Sequence, residues 1–210
     1  MMKMEDFLRV PIMGILRGIK LESIAELVTA LNETPLKYIE VTMDTDGAAD
    51  LIRELKSQSK GRMTVGAGTV LNREELESAI AAGAEFIVSP VLVKEVVTTC
   101  VEKSIPVFPG AFSPQEIVDA YQAGASMVKV FPCSRFGPDY IKEIRGPFPD
   151  IPLLACGGVN ADNVCDYFAK GATGIAFGGS IFNNELIANG GFTEITQRVN
   201  QIMKLISESS

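Results

Sequence analysis

The chain has 210 residues, 47% of them apolar, a formal net charge of −7 and no histidine. That size fits one well-buried domain over 1–210 better than two, and the missing histidine removes imidazole metal sites, Ser-His-Asp triads and the commonest general base together. The negative balance, without a basic cluster or an arginine stripe, argues against nucleic acid or anionic membrane as a partner, so any bound anion must be captured locally.

The four cysteines, Cys100, Cys133, Cys156 and Cys165, form no CxxC pair. Neither a zinc site nor a redox motif is therefore expected, and each reads as a small reduced core residue. No apolar stretch approaches the ~20 residues of a membrane span, and the N-terminus lacks the apolar core of a signal peptide. The expectation is a soluble, cytoplasmic protein.

Along the chain, Met1–Leu8 reads as a short helix. Apolar, β-branched runs then recur at Val10–Leu16, Lys37–Thr42, Met63–Ala67, Phe86–Ser89, Ile105–Pro109, Met127–Phe131, Pro152–Ala155 and Gly174–Phe177. Between them lie helical patterns, most visibly Leu21–Leu31, Ala48–Leu55, Glu74–Ala82, Val93–Glu102, Pro114–Ala123 and Asp162–Ala169. Strands alternating with helices imply a parallel sheet, and continuous apolar runs fit strands buried on both faces. No GxGxxG opens a helix after the first strand, which disfavours an open dinucleotide-binding sheet. The predicted fold is a single-domain (β/α)8 TIM barrel whose N-terminal helix plugs the base. Gly83, Gly124 and Gly171 fall where a helix ends and a strand follows, the place of a left-handed C-terminal cap.

Within the sixth run, Lys129 is the one charge in Ser126-Met127-Val128-Lys129-Val130-Phe131-Pro132. Burial there should push its pKa down and leave a neutral amine, the nucleophile that forms Schiff bases with carbonyls. A lysine snorkelling to solvent is the ordinary alternative. Barrel active sites lie at the C-terminal strand ends, which here carry Arg17, Glu40, Thr42, Thr69, Pro90, Lys129, Phe131, two glycine pairs and Ser180. Glu40 interrupts Tyr38-Ile39-Glu40-Val41 and should point into the barrel if Val41 points out. A buried carboxylate there fits an ion pair with Lys129 or Arg17, or a raised pKa suited to proton transfer. Gly157-Gly158 and Gly178-Gly179-Ser180 follow the seventh and eighth strands, where backbone N–H groups can approach a phosphate.

These residues carry a resemblance. Glu40-Val41-Thr42, Gly66-Ala67-Gly68-Thr69-Val70-Leu71, Ser89-Pro90, Phe108-Pro109-Gly110, Lys129-Val130-Phe131-Pro132, Gly157-Gly158-Val159 and Gly178-Gly179-Ser180 resemble, in order over nearly the whole chain, the class I aldolases of the 2-keto-3-deoxy-6-phosphogluconate/4-hydroxy-2-oxoglutarate family. The stretch from Phe131 to Lys142 and Ile15-Leu16-Arg17-Gly18-Ile19 are also similar to the phosphogalactonate branch. The resemblance implies a homotrimer that uses no metal and no cofactor. It implies that Lys129 forms an imine with the substrate's 2-keto group and that Glu40 shuttles protons. Thr69 would contact the pyruvyl carboxylate, Pro90 and Phe131 would wall the pocket, and Gly158, Gly179 and Ser180 would take the phosphate.

One position departs from the family pattern. Many members carry an arginine for the substrate carboxylate where this chain has Asp44; a second carboxylate there would repel the substrate by about 1 kcal/mol. Arg17, at the end of the first strand, could supply the missing cation.

The function expected is a lyase that cleaves a 2-keto-3-deoxy-6-phosphosugar acid to pyruvate and glyceraldehyde 3-phosphate, and also 4-hydroxy-2-oxoglutarate to pyruvate and glyoxylate. A phosphosugar isomerase or epimerase on the same barrel would need Glu40 and the phosphate site but no imine. A non-catalytic binder of phosphosugar acids would keep the pocket without turnover.

Overall fold

In the computed structural model, which describes residues 2–209, the apolar runs form one parallel sheet: β1 (Ile12–Leu16), β2 (Tyr38–Thr42), β3 (Thr64–Gly68), β4 (Ile87–Val88), β5 (Val107–Phe108), β6 (Gly110–Ala111), β7 (Val128–Val130), β8 (Leu153–Cys156) and β9 (Gly174–Phe177). Their order is β5-β4-β3-β2-β1-β9-β8-β7-β6. The two ends of that order, β5 and β6, are consecutive in the chain and separated only by Pro109, so the sheet closes into a TIM barrel.

The nine strands thus correct the expected eight by splitting the fifth. Proline has no N–H to give to a ladder, whereas its carbonyl still accepts from the Lys129 N–H at 2.9 Å and keeps the wall continuous. Gly110 is needed immediately afterwards, because a Cβ there would lie 2.0 Å from the Pro90 carbonyl oxygen.

Side chains alternate along each strand. Ile39 and Val41 face the helices, in a cluster with Leu27, Leu31 and Leu51. Tyr38 faces the barrel interior with Met13, Phe86, Phe108, Met127 and Leu154.

The outer ring consists of α2 (Ile24–Asn32), α3 (Ala48–Ser59), α4 (Arg73–Ala81), α5 (Lys94–Glu102), α6 (Pro114–Gln122), α7 (Gly137–Arg145), α8 (Val164–Ala169) and α10 (Phe192–Ser209), with a short α9 (Asn184–Ala188) before the last. The start of α6 shows why the sequence nucleates there. Ser113 accepts from the Glu116 N–H, the Glu116 carboxylate accepts from the Ser113 N–H, and Pro114 occupies the first turn. Gly83, Gly124 and Gly171 have φ of +91°, +102° and +99° after their helices, as a left-handed cap requires. Helices α7 and α10 complete the ring beyond the most visible patterns; α10 packs through Ile195, Val199 and Ile202.

The N-terminal helix, α1, covers Met4–Arg9; of the predicted segment, Met1 lies outside the described residues. Phe7 is fully buried and meets Tyr38 edge-on at 4.9 Å and Phe108 at 5.8 Å between ring centroids. These edge-to-face contacts seal the base of the barrel. Access to the interior is left to the C-terminal ends of the strands.

Candidate active site

At those strand ends lies a cavity of about 890 Å³. All nine predicted site residues line it: Arg17, Glu40, Thr69, Pro90, Lys129, Phe131, Gly158, Gly179 and Ser180. Ile15, Cys156, Asn183, Asn184 and Glu185 line it too. The barrel therefore gathers groups from seven separate strand ends into one concave site, as closure of the sheet demands.

Lys129, in the middle of β7, and Glu40, in the middle of β2, meet at the cavity floor with Nζ and Oε1 3.9 Å apart. Both are buried, and neither carboxylate oxygen of Glu40 has a hydrogen-bond partner among the described residues. Gly68 makes this possible: a Cβ there would lie 2.4 Å from Glu40 Oε1. The Phe131 ring flanks the amine, 5.5 Å from Nζ to its centroid, close enough for a cation–π contact.

Burial pushes the Glu40 pKa up, against the opposing pull of Lys129 and Arg17. Lys129 corrects the expectation of a depressed pKa. Burial does work against its ammonium, but Cys156, where its thiol ionises, and the Glu40 carboxylate outweigh it and hold the lysine above its ordinary value. A neutral amine would therefore be reached by handing the proton to Glu40, whose own proton affinity burial has raised. The snorkelling alternative fails because Lys129 is only 6% exposed.

At the mouth, Arg17 follows β1 and Thr69 follows β3. Arg17 Nη2 donates to Thr69 Oγ1 at 3.0 Å, while Nη1 donates to the Asp44 carboxylate in an ion pair. The expected repulsion by Asp44 is thereby corrected: its charge is spent on Arg17 rather than left facing the cavity. Thr69 has φ +55°, an uncommon conformation for a β-branched residue.

The opposite end of the cavity is built from main chain. The N–H groups of Gly158, Gly179 and Ser180 find no acceptor among the described residues. Gly158 has φ +75°, and a Cβ there would press on Ser134 at 2.8 Å. The Ser180 hydroxyl donates to the Val159 carbonyl at 2.8 Å, so its proton is already engaged and its N–H is the donor left for a ligand. Asn183 caps α9 by accepting from the Glu185 and Leu186 N–H groups.

Cys156 is the site residue that the sequence reading missed. It is buried, as expected of a core cysteine, yet it lines the cavity at the end of β8 and acts electrostatically on Lys129. Burial raises its pKa, which keeps it a thiol at neutral pH. Its one legible signal was position, directly before Gly157-Gly158 at a strand end. No group of three or more His, Cys, Asp or Glu side chains suited to a metal ion occurs among the described residues.

Residues 4–198 match the family model described as KDPG and KHG aldolase. The chain is 33% identical over 187 residues to the 2-dehydro-3-deoxy-phosphogluconate aldolase of Haemophilus influenzae, covering 88% of this chain and 87% of that protein. It is 30% identical over 175 residues to the 2-dehydro-3-deoxy-6-phosphogalactonate aldolase of Escherichia coli, covering 83% and 85%. Its fold superposes with a TM-score of 0.85, at 27% identity and 95% coverage of both chains, on the KDPG aldolase of Legionella pneumophila, in which pyruvate was captured at low pH as a covalent carbinolamine intermediate.

Proposed function

The chain belongs to the KDPG and KHG aldolase family, and from that premise we propose that it is a class I aldolase cleaving a 2-keto-3-deoxy-6-phosphosugar acid to pyruvate and glyceraldehyde 3-phosphate. The same chemistry extends to 4-hydroxy-2-oxoglutarate, giving pyruvate and glyoxylate. The observation that carries the reading is the Lys129–Glu40 pair, buried at the floor of a cavity wide enough for a sugar acid and open only at the strand ends.

In this mechanism Glu40 accepts the Lys129 proton, and the free amine adds to the C2 carbonyl. The Glu40 acid then protonates the departing hydroxyl, water leaves, and a protonated imine remains. That imine draws in the C3–C4 bonding electrons as Glu40 takes the proton of the C4 hydroxyl; the bond breaks, the aldehyde departs and an enamine is left. Glu40 returns its proton to C3, and hydrolysis releases pyruvate and the lysine. One carboxylate serves as acid and base in turn because, among the described residues, no other unpartnered carboxylate is buried beside the amine.

The remaining roles follow the layout of the cavity. Arg17 and Thr69 hold the substrate carboxylate by charge-assisted hydrogen bonds, Pro90 and Phe131 wall the pyruvyl portion, and the N–H groups of Gly158, Gly179 and Ser180 receive the phosphate.

A homotrimer is part of the proposal. In its support, Phe112, Phe136 and Tyr140 pack ring against ring with Phe136 still 59% exposed, and Leu71 and Val91 are exposed on loops at the same end of the barrel. Exposed apolar side chains of this kind suit burial against further copies of the chain. A cytoplasmic location agrees with the buried thiols of Cys100, Cys133 and Cys156; no described helix is long and apolar enough to cross a membrane.

A panel of 2-keto acids, with pyruvate release followed by a coupled assay, tests the substrate class. Preference for a phosphorylated sugar acid in kcat/KM supports the reading, whereas no pyruvate release from any member would leave a binding protein.

A further inference from the structure

Asp44 stands outside the cavity lining, yet it is held in a more rigid frame than an exposed aspartate needs. It sits in the turn after β2, whose Thr42 and Thr45 are buried, with their hydroxyl oxygens 3.0 Å apart. The Thr45 N–H donates to the Thr42 carbonyl at 2.9 Å, and the Met43 N–H donates to the Gly68 carbonyl at 2.7 Å, which fastens the turn to the end of β3. The Thr45 hydroxyl also accepts from the Gly18 N–H at 2.9 Å. That last bond ties the turn carrying Asp44 to the residue directly after Arg17.

Arg17 itself is long and 57% exposed in its side chain, so its position over the mouth is not fixed by packing. Two polar contacts fix it instead: Asp44 on one arm of the guanidinium and Thr69 Oγ1 on the other. A guanidinium has five N–H donors in one plane, and two anchors leave donors to spare for a ligand.

We propose that Asp44 is a positioning residue that pins Arg17 against Thr69 across the pocket mouth, so that the carboxylate of an incoming 2-keto acid meets a preorganised pair of donors. The inference rests on the aldolase reading of the site. It accounts for an aspartate on the approach to an anion-binding pocket: the negative charge acts through the arginine and does not face the ligand. An arginine released from Asp44 would spread over many rotamers, and binding the carboxylate would then include the entropy of collecting them.

The test compares Asp44→Ala, Arg17→Ala and the double variant, using steady-state kinetics with a 2-keto-3-deoxy-6-phosphosugar acid and the pyruvate concentration that half-saturates borohydride inactivation. For an exposed pair, Asp44→Ala should raise KM and the half-saturating pyruvate concentration about two- to fivefold, with kcat within about twofold of the parent. The double variant should be no worse than Arg17→Ala alone, because Asp44 has nothing left to position. Tighter pyruvate binding in Asp44→Ala would mean that the aspartate competes with substrate for Arg17 and would overturn the proposal. Unchanged half-saturation, or additive losses in the double variant, would overturn it as well. These failures differ from failure of the aldolase reading, in which the parent protein itself would show no pyruvate-dependent inactivation and both inferences would fall.

Discussion

Lys129 Nζ and Glu40 Oε1 lie 3.9 Å apart although β7 and β2 are not neighbours in the sheet. Only closure of the barrel brings them together. Burial disfavours the charge on each and their contact opposes it, leaving Glu40 above its ordinary pKa and, together with Cys156, Lys129 above its own. In the proposed mechanism that pair supplies both the nucleophile and the acid–base group.

The pair depends on the absence of a side chain at Gly68. Gly68→Ala would put a Cβ 2.4 Å from Glu40 Oε1 and turn the carboxylate away. Gly68 lies on a strand and has no positive φ, so alanine is tolerable to the backbone. The expected result is a folded barrel with kcat lowered on the order of 100-fold, the effect of displacing a catalytic group by about 1 Å. Near-parental kcat with an unchanged melting temperature would show that Glu40 does not need this space.

Glu40→Gln should slow turnover by roughly 10²–10⁴-fold while still permitting the imine to form slowly. The pH dependence gives the sign. In the proposed mechanism bond cleavage needs Glu40 as the carboxylate, whose population falls as pH drops through its pKa; burial raises that pKa, so the acid limb of kcat/KM should lie above the ordinary glutamate range. In Glu40→Gln that limb should disappear. An acid limb that survives unchanged would assign it to another group.

Much of this was legible in the sequence because apolar runs and strand-end polar residues carry local signals. Lys129 and Glu40 each break an apolar run, and glycine pairs mark places where main chain must approach a ligand. The split of the fifth strand was less visible, since Ile105–Pro109 reads as one run until Pro109 meets a ladder it cannot join. The raised pKa of Lys129 was illegible for a different reason: it depends on Cys156 and Glu40, which sequence spacing does not place beside it. The Arg17–Asp44 contact likewise needs the turn after β2 folded against the end of β1. An aspartate read alone looks like repulsion; beside an arginine it becomes an anchor.

The buried cysteines give a separate test of the environment. Burial pushes the thiols of Cys100 and Cys133 up to about 12 and raises Cys156 as well. Thiolates react and thiols do not, so at about pH 8 a thiol reagent should leave these three unmodified in the folded protein and label all four cysteines in denaturant. Mass spectrometry of the digested protein identifies the labelled positions. Rapid labelling of Cys156 in the folded state would show a thiolate there and contradict a thiol whose pKa burial raises.

The most direct measurement of the central claim is borohydride reduction in the presence of pyruvate, followed by mass spectrometry of the peptides. An imine between pyruvate and Lys129 is reduced to a stable secondary amine, so the account predicts irreversible loss of activity and a single adduct on Lys129, absent in Lys129→Ala. An adduct on a different lysine, or activity fully retained after reduction with saturating pyruvate, would contradict it.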